Sequence, residues 1–492
     1  MIELLLWIIL GTALGISVGA IPGLTGAMLI ALMLPHTSAM ASGTALAFLV
    51  AMYVGSVSGG LITATLLKMP GTPASVITTL DGYPMAASGR PGKALGLGIG
   101  ASLLGGIISW VILALLVKPA ADWSTKLGPF DLFALVLMAL VFIAAVSDRG
   151  HGGLARGIFA GMLGCLAAAP GAHPATGELR FTFGFAEMDD GFKQLTVLIG
   201  MFAFSQAIRD VSKPKTDKSD LKAASVTDRL WIPVREWLSH WGNLIRSSLI
   251  GTVIGILPGI GANIGSTVAY GSARQLSKTP EKFGTGCEDG VIASESANNA
   301  TVGGALIPLI SLGIPGSVID AILLGAFVIH GLQPGPLLFQ NNPEVVSTIT
   351  WSYLVANIVM AILMFVSARW IANLAKVPRG WLAPIVILFC VIGSYTLGNR
   401  FFDVWVMVAF GFVGLIFGKL KIPPAPFVIG FVLAPLAEEN LGAGLMASGG
   451  SWLPIVTRPF SLICIIAAIG LMVMPIISNR RENGGSKDGR KA

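Results

Sequence analysis

The stretch VGAIPGLTGAM at 18–28 returns later in the chain as IGILPGIGANI at 254–264. Both copies place a Pro-Gly pair inside an apolar segment, and further landmarks follow each copy in the same order. The matched pairs are Gly59-Gly60 with Gly303-Gly304, Pro70-Gly71 with Pro315-Gly316, and Pro91-Gly92 with Pro334-Gly335. Some matches arise by chance, because Gly and Pro are common in membrane helices. Four ordered matches at nearly constant spacing nevertheless predict an internal repeat of domain size.

The composition is that of a membrane protein. Hydrophobic residues make up 54% of the chain and charged residues 12%, whereas a soluble domain carries about 25% charge. Apolar segments long enough to cross about 30 Å of hydrocarbon recur along nearly the whole chain, so the first is not expected to be a removable signal peptide. We predict an all-α polytopic membrane protein with about 10–12 transmembrane helices, some broken or folded as re-entrant hairpins.

Lys and Arg are unevenly distributed along the chain. None precedes Lys68, whereas many lie in 209–246 and in the tail after Asn479. Because short loops rich in these residues stay in the cytoplasm, we expect the N-terminus outside and the C-terminus inside. A first repeat that starts outside and ends inside crosses an odd number of times, so the second repeat is predicted to be inverted. The net charge of +7 follows largely from this bias and does not indicate nucleic-acid binding.

These patterns predict five regions. They are a first transmembrane repeat at 1–209, a cytoplasmic connector at 210–241, a second transmembrane repeat at 242–453, an extra C-terminal transmembrane helix at 454–478 and a cytoplasmic tail at 479–492. Four cysteines and five histidines are scattered without metal-ligand spacing. No nucleophile elbow, phosphate loop or zinc signature occurs in its required context. We therefore do not expect an enzyme.

The repeated breaks are typical of transport machinery. Gly and Pro inside an apolar segment release backbone amides and carbonyls, and such breaks persist only where protein or water surrounds them. In transporters built from inverted repeats, helix amino termini at the breaks face anionic groups, and unwound carbonyls hold cations near the membrane centre. Two breaks in each repeat therefore predict a polar cavity for a solute in transit.

Hydroxyl residues lie beside glycines in IPGLTG at 21–26, KMPGTPAS at 68–75 and GIPGS at 313–317. Hydroxyls and free backbone amides suit a carboxylate, and glycine allows close approach of the backbone. The predicted substrate-binding residues are Thr25, Lys68, Gly71, Thr72, Ser75, Gly316 and Ser317. The alternative for each is a kink or capping residue that serves helix packing.

Amide side chains accompany the second repeat, in PGIGAN at 258–263 and ASESANNATVGG at 293–304. Amide oxygens are ordinary ligands of a hard cation such as Na⁺. The predicted cation-binding residues are Gly23, Gly259, Asn263, Ser296, Asn298 and Asn299. No other cofactor or metal is expected, and the pattern leaves open whether Na⁺ or H⁺ is the coupling ion.

Ionisable residues at membrane depth are costly and often functional. Lys68 ends an apolar run two residues before Pro70, so its ammonium either attracts a substrate carboxylate or extends to the interface. Candidates for proton or cation coupling are Asp81, Asp289, Glu295 and Asp320. Asp81 begins a DGYP turn and Asp289 lies in a Gly-rich loop, which favours a structural role for these two.

At these residues the chain resembles a known family. The segments are PGTPASVITTLDGYPMAASGRPGKALG at 70–96, YGSARQLSKTPEKFGTGCEDGV at 270–291, SANNATVGGALIPLISLGIPGS at 296–317 and LLGAFVIHGLQPGP at 323–336. They are similar to the large membrane (permease) subunit of tripartite tricarboxylate transporters. The resemblance implies a bacterial inner-membrane importer of organic acids that uses an ion gradient instead of ATP. It also implies two partners, a small four-helix membrane subunit and a periplasmic solute-binding protein.

By the same resemblance, the segments 70–75, 315–317 and 296–300 would shape the substrate and cation sites. The family pattern has Asn where this chain has Lys68, and Pro where it has Ser294. We predict a binding-protein-dependent, ion-gradient-driven permease that imports tri- or dicarboxylates. Hairpin tips in inverted repeats favour an elevator-like motion, and a rocking motion is the alternative. A stand-alone secondary cation/carboxylate symporter is the alternative, and a channel is a weaker one.

Overall fold

The computed structural model describes residues 2–21, 23–146, 153–212, 228–258, 261–371 and 379–488. The first half forms α1 (Ile2–Ala20), α2 (Gly26–Thr37), α3 (Ser42–Leu67), α4 (Thr78–Ala87), α5 (Pro91–Ser124), α6 (Pro129–Val146) and α7 (Gly153–Ala168). Strands β1 (Gly171–Ala172) and β2 (Leu179–Arg180) then pair antiparallel. Helices α8 (Gln194–Leu198) and α9 (Ser205–Ser212) flank a π-helical segment at Ile199–Phe204.

The second half is likewise helical. Its helices are α10 (Val234–Ile256), α11 (Gly261–Leu276), α12 (Glu288–Leu312), α13 (Val318–Ile329), α14 (Pro336–Asn341), α15 (Pro343–Ile371), α16 (Arg379–Thr396), α17 (Phe401–Leu420), α18 (Pro424–Ala447), α19 (Pro454–Thr457) and α20 (Pro459–Asp488). Short 3-10 turns occur at Pro73–Val76, Ala186–Met188 and Pro280–Lys282.

Within the described ranges, seven helices are long and apolar enough to cross a membrane: α1, α3, α5, α6, α15, α17 and α18. Shorter apolar helices lie at Gly26–Thr37, Gly153–Ala168, Val318–Ile329, Ala383–Thr396 and Pro459–Val473. The chain is an all-α polytopic membrane protein, which confirms the predicted fold class. The expected count of about 10–12 crossings and the inversion of the second repeat stay predictions.

The chain divides into two compact units, each with segments from both halves of the sequence. Unit 1 contains Met1–Ser124 and Leu195–Leu415, and unit 2 contains Thr125–Gln194 and Ile416–Ala492. In unit 2, α18 packs on α6 and α7, and α20 packs on α6. There the buried Asp131 accepts hydrogen bonds from Arg458 and Ser461. The predicted repeat boundaries stay predictions.

The two halves present their elements in the same order. Each begins with a broken helix, α1 with α2 and α10 with α11, which is followed by α3 or α12. The latter two helices end in left-handed backbone, with a φ of 53° at Lys68 and 70° at Gly313. A Pro-Gly tip and a capped turn come next in both halves. The first tip is the segment 70–75 and the second tip is the segment 315–317. The landmarks that repeat in the sequence therefore occupy matching places in the fold.

Helices α3 and α12 form the centre of unit 1 and are buried over nearly their whole length. Small residues let neighbouring helices approach them closely. A methyl group on Gly55 of α3 would lie 3.1 Å from the Cα of Gly15 of α1. A methyl group on Gly255 of α10 would lie 3.0 Å from the Cα of Gly304 of α12. Each broken helix is therefore packed tightly onto the buried helix of its own half.

The long helices α5 and α15 pack on the opposite halves. Helix α5, from the first half, packs along α12, and α15, from the second half, packs along α3. Asn299 of α12 links them, because its amide donates to the Ser102 carbonyl of α5 and to Asn357 of α15, both at 2.8 Å. This reciprocal pairing brings the breaks and tips of both halves into one unit.

Candidate functional site

The first break separates α1 from α2 and contains two predicted residues, Gly23 and Thr25. The Thr25 hydroxyl caps α2 by accepting a hydrogen bond of 3.2 Å from the Met28 amide. Gly23 has a φ of 98°, a conformation that glycine adopts readily and other residues rarely do. Both residues are half-buried. The Thr25 oxygen is therefore engaged by its own helix.

The second break separates α10 from α11, and the predicted cation residue Gly259 lies outside the described residues. Helix α11 begins at Gly261, whose φ is 65°. A methyl group on Gly261 would lie 3.9 Å from the Cβ of Ser317. Asn263, one turn into α11, has an exposed side chain. The second break therefore faces the second tip through Gly261, while Asn263 lies at the surface of the chain.

The first tip follows α3 and closes on itself. Thr72 and Ser75 form a capping box, in which each hydroxyl accepts from the other residue's backbone amide, at 3.4 and 3.1 Å. Both side chains are buried. Lys68 is exposed, and its ammonium lies 5.5 Å from the centre of the Tyr83 ring. The structure brings Thr72 and Ser75 together and places Lys68 at the exposed edge of the same tip.

Both tip glycines pack on the end of the broken helix in their own half. A methyl group on Gly316 would lie 2.8 Å from the carbonyl oxygen of Gly255, near the end of α10. A methyl group on Gly71 would overlap the carbonyl oxygen of Gly19, near the end of α1. Both glycines are buried. Any larger residue at either position would separate the tip from the break.

Both tips rest on α3. The hydroxyls of Ser317 in the second tip and Tyr53 on α3 share a hydrogen bond of 3.2 Å. A methyl group on Gly60 of α3 would lie 2.8 Å from the Thr72 hydroxyl in the first tip. Tyr53 and Gly60 are seven residues apart, so they lie on one face of α3 with an axial separation of about 10 Å. The structure therefore brings the two tips to neighbouring places on one helix face.

Three helix amino termini meet at the second tip. Ser317 caps α13 by accepting a hydrogen bond of 3.3 Å from the Asp320 amide. Gly26, the first residue of α2, faces α13, since a methyl group there would lie 3.3 Å from the side chain of Ile319. Gly261 begins α11 and lies against Ser317, as described above. Each amino terminus carries a partial positive charge and unpaired amides, so their meeting forms an environment suited to an anion.

The three polar residues predicted as cation ligands on α12 differ in their bonding. Asn299 is fully engaged, because its amide nitrogen has the two bonds given above and its oxygen accepts from Ser58 at 3.0 Å. Asn298 donates to the Val57 carbonyl at 3.2 Å. Among the described residues, the side-chain oxygens of Asn298 and Ser296 have no partner although both are buried. These two oxygens have the hard-ligand chemistry that Na⁺ prefers, whereas Asn299 is occupied in packing.

The acids predicted as coupling candidates are distinguished by their partners. Asp81 accepts from the Tyr270 hydroxyl at 2.8 Å and from three backbone amides of the loop before α12, those of Gly284, Gly286 and Cys287. Glu295 accepts from Thr78 at 2.5 Å and from Ser102 at 3.1 Å. Asp289 accepts from Asn243 and pairs with His240. Asp320 alone among these four has two buried oxygens without a partner in the described part of the chain.

Two tyrosines that no sequence motif indicated connect the helices around the second tip and α12. Tyr53 contacts Ser317, and Tyr353 of α15 inserts its hydroxyl into α12, where it accepts from the Gly303 amide and donates to the Asn299 carbonyl, both at 3.1 Å. Both rings are buried inside long apolar helices. A tyrosine inside an apolar segment of the sequence could have indicated such a contact, since a buried tyrosine hydroxyl usually requires a hydrogen-bond partner.

Broken helices whose amino termini gather around half-buried hydroxyls are typical of a polytopic membrane protein of the transport class. A family model described as "Tripartite tricarboxylate transporter TctA family" matches residues 5–429. The chain belongs to this family, whose role is transport and not catalysis. The resemblance inferred from the sequence motifs is thereby confirmed.

Two relatives from Agrobacterium vitis are similar to the chain. The first, named "Uncharacterized 52.8 kDa protein in TAR-I ttuC' 3'region", is 32% identical over 481 residues, which cover 97% of this chain and 95% of the relative. The second, named "Uncharacterized protein in TAR-II ttuC' 3'region", is 35% identical over 239 residues, which cover 47% of this chain and 97% of the relative. No solved structure matches the chain.

Proposed function

We propose that the chain is the large permease subunit of a binding-protein-dependent importer that carries organic acids such as tri- or dicarboxylates. An ion gradient, not ATP, drives it. The observation that carries the proposal is the meeting of the amino termini of α2, α11 and α13 at Ser317. Their amides and partial charges suit a carboxylate. Glycines begin two of these helices, so their first amides are not covered by a side chain of their own residue.

The remaining predicted substrate residues are given different roles in this proposal, some in shaping the tips and one in supplying charge. Thr72 and Ser75 shape the first tip, Gly71 and Gly316 hold the tips against the breaks, and Lys68 supplies a positive charge at the exposed edge. For a coupling Na⁺, the candidate ligands are the unpartnered oxygens of Ser296 and Asn298.

The proposed setting is the bacterial inner membrane, with a periplasmic N-terminus and a cytoplasmic C-terminus. The proposed partners are a small four-helix membrane subunit and a periplasmic solute-binding protein, and membership of a tripartite family supports them. Co-purification of the tagged chain with a small membrane protein would support this assembly. Full uptake by the chain alone in proteoliposomes would instead favour a stand-alone symporter.

A matched pair of serine variants tests the substrate site. Ser317→Ala removes the hydroxyl at the three amino termini, and we expect the substrate concentration for half-maximal uptake to rise about tenfold, which corresponds to about 1.4 kcal/mol. Ser248→Ala is the control, because this buried hydroxyl bonds only the Leu244 carbonyl of its own helix among the contacts described. Uptake of radiolabelled di- and tricarboxylates by cells that express the complete system is the measurement. Equal half-saturation in the two variants would exclude Ser317 from the site.

A further inference from the structure

Asp320 is a fully buried acid at the second tip. Its relative exposure is 0%, and in the described chain neither carboxylate oxygen has a hydrogen bond of ordinary distance and angle. Its neighbours along α13 are the apolar residues Ile319, Ala321 and Ile322. A lone ionised carboxylate at membrane depth is costly, and such residues mark proton or ion pathways. The position therefore requires an explanation other than packing.

The matching residue of the first tip shows that capping does not require an acid. Ser75 follows Thr72 by three residues, as Asp320 follows Ser317, and each pair lies directly after a Pro-Gly tip. Ser75 closes its capping box with a bond from the Thr72 amide at 3.1 Å. At the equivalent place, neither Asp320 oxygen has a hydrogen bond of ordinary geometry, although the amide and hydroxyl of Ser317 lie close to its carboxylate. Since serine suffices to build the turn, the carboxylate has a role that the turn itself does not demand.

A substrate carboxylate bound at the second tip and an ionised Asp320 would repel each other, which would weaken substrate binding. The amino termini that would receive a substrate carboxylate meet at Ser317, three residues before Asp320. A second negative charge next to the buried Asp320 carboxylate would be repelled strongly, and protonation of one group removes the repulsion. A proton needs one oxygen, whereas a hard metal cation takes several. The hydroxyls of Tyr53 and Ser317 are the polar side chains placed beside this acid by the contacts above.

Other titratable groups on the helices that pack against α13 lie away from Asp320 or are already bonded. Helices α2, α3 and α12 pack on α13, and their titratable side chains are His36, Tyr53, Glu288, Asp289 and Glu295. His36 lies ten residues beyond Gly26, about 15 Å along α2. The three acids of α12 have the partners described for them. Tyr53 is thus the neighbour that faces Asp320.

We infer that Asp320 carries the coupling proton of this transporter. It takes up a proton from the outer side as the substrate carboxylate binds at Ser317, and it releases that proton to the inner side when the substrate leaves. The inference rests on the proposed function, since it gives that carboxylate site its coupling ion. Proton and substrate then raise each other's affinity by the same factor.

The test uses the complex of this chain with its membrane partner in proteoliposomes, with the solute-binding protein added outside and radiolabelled citrate and other di- and tricarboxylates as probes. An inward proton gradient and an inward sodium gradient are applied separately, and equilibrium exchange is measured without either. Asp320→Asn removes the titratable group while keeping its shape, and Asp320→Ser copies the first tip. Glu344→Gln is the control, because it neutralises an exposed acid in the first turn of α15.

We expect both Asp320 variants to lose proton-driven accumulation by about tenfold or more while exchange changes by less than about twofold. Glu344→Gln should retain proton-driven accumulation. Proton-driven accumulation by Asp320→Asn at the wild-type level, or wild-type accumulation on a sodium gradient alone, would overturn the inference and leave the carboxylate importer intact. A wild-type complex that neither exchanges nor accumulates any of these acids would instead overturn the proposed function.

A second measurement does not depend on the stability of one variant. Citrate is added to the purified complex in weakly buffered detergent solution that contains a pH indicator. We expect the wild-type complex to take up about one proton per bound citrate, and both Asp320 variants to take up none. Proton uptake by the variants equal to that of the wild type would also overturn the inference.

Discussion

The hydroxyl of Tyr53, in the first half of the sequence, shares a hydrogen bond of 3.2 Å with the hydroxyl of Ser317, in the second half. Tyr53 is 2% exposed and lies in the middle of α3. The bond joins the helix on which both tips rest to the residue at which three helix amino termini meet. The geometry of the proposed carboxylate site therefore depends on a contact between the halves.

Tyr53→Phe removes this contact and keeps the ring. We expect a loss of about 1 kcal/mol in substrate binding, or about a fivefold rise in half-saturation, because Ser317 loses the partner that orients its hydroxyl. Tyr353→Phe is the matched control, since its equally buried hydroxyl braces α12 and should affect thermal stability more than half-saturation. Concentration-dependent uptake and thermal unfolding would be measured for both. An unchanged half-saturation in Tyr53→Phe would contradict the assigned role.

Lys68 adopts left-handed backbone, with a φ of 53°, where the matching residue of the second half is Gly313. Asn tolerates this conformation better than Lys or Gln. Lys68→Asn should therefore stabilise the protein by about 0.5–1 kcal/mol, whereas Lys68→Gln should not. Both variants remove the positive charge, so a change in uptake that is common to both would measure the contribution of the Lys68 ammonium. Thermal unfolding distinguishes the two variants, and equal melting temperatures would argue against backbone strain.

Asp81 ties α4 to the loop before α12 through bonds from one hydroxyl and three backbone amides. All of these partners are hydrogen-bond donors. The NH₂ group that Asp81→Asn introduces would therefore face other donors and could not replace the lost hydrogen bonds. We expect a loss of about 2–4 kcal/mol in stability, because buried groups would lose their bonds. Half-saturation of the remaining folded protein should be unchanged. Exposed Glu344→Gln is the control, and equal thermal unfolding of the two variants would contradict this role.

A histidine–acid cluster outside the seven long apolar helices predicts a pH-dependent stability. His240 Nε2 lies 3.4 Å from the Glu288 carboxylate, and its Nδ1 lies 2.9 Å from Asp289. The bonds to Asp289 and Glu288 raise the pKa of His240 from 6.5 to about 9. The bond from His240, with help from Lys93, lowers the pKa of Glu288 from 4.5 to about 2.

The contribution of His240 is complete below about pH 6.5 and is lost as the pH rises through about 9. That of Glu288 is complete above about pH 4.5 and is lost as the pH falls through about 2. The melting temperature of the purified protein should therefore be highest between these limits. His240→Gln should lower stability there by on the order of 2 kcal/mol and flatten the alkaline decline. An unaltered pH profile in this variant would refute the role of the pair.

Local sequence patterns were sufficient for several features of the site. The Pro-Gly pairs at 22–23 and 258–259 mark the places where α1 and α10 end, because Pro inside a helical run removes an amide donor and Gly adds backbone freedom. The hydroxyls of Thr25, Thr72 and Ser317 lie beside the tips and breaks, and their contact with substrate stays a prediction. Their capping bonds, which sequence analysis gave as the alternative role, are present in all three.

Partners distant in the sequence could not be inferred in this way. Asn298 and Asn299 are adjacent and chemically identical, yet Asn299 is bonded by Ser58, Ser102 and Asn357 while the oxygen of Asn298 has no partner in the described chain. Consecutive residues on a helix point in directions about 100° apart, so they meet different neighbours. No local pattern distinguishes them.

The amino-acid sequence by itself determined that this is a helical membrane protein with repeated breaks, because hydropathy and the backbone limits of Gly and Pro act over a few residues. Only the tertiary structure decided which polar groups are free to act. Asp81 and Glu295 are bonded by side chains and amides from other parts of the chain, whereas neither oxygen of the Asp320 carboxylate forms such a bond among the described residues. The difference arises because hydrogen-bond satisfaction in a buried site depends on residues that packing brings together from both halves of the chain.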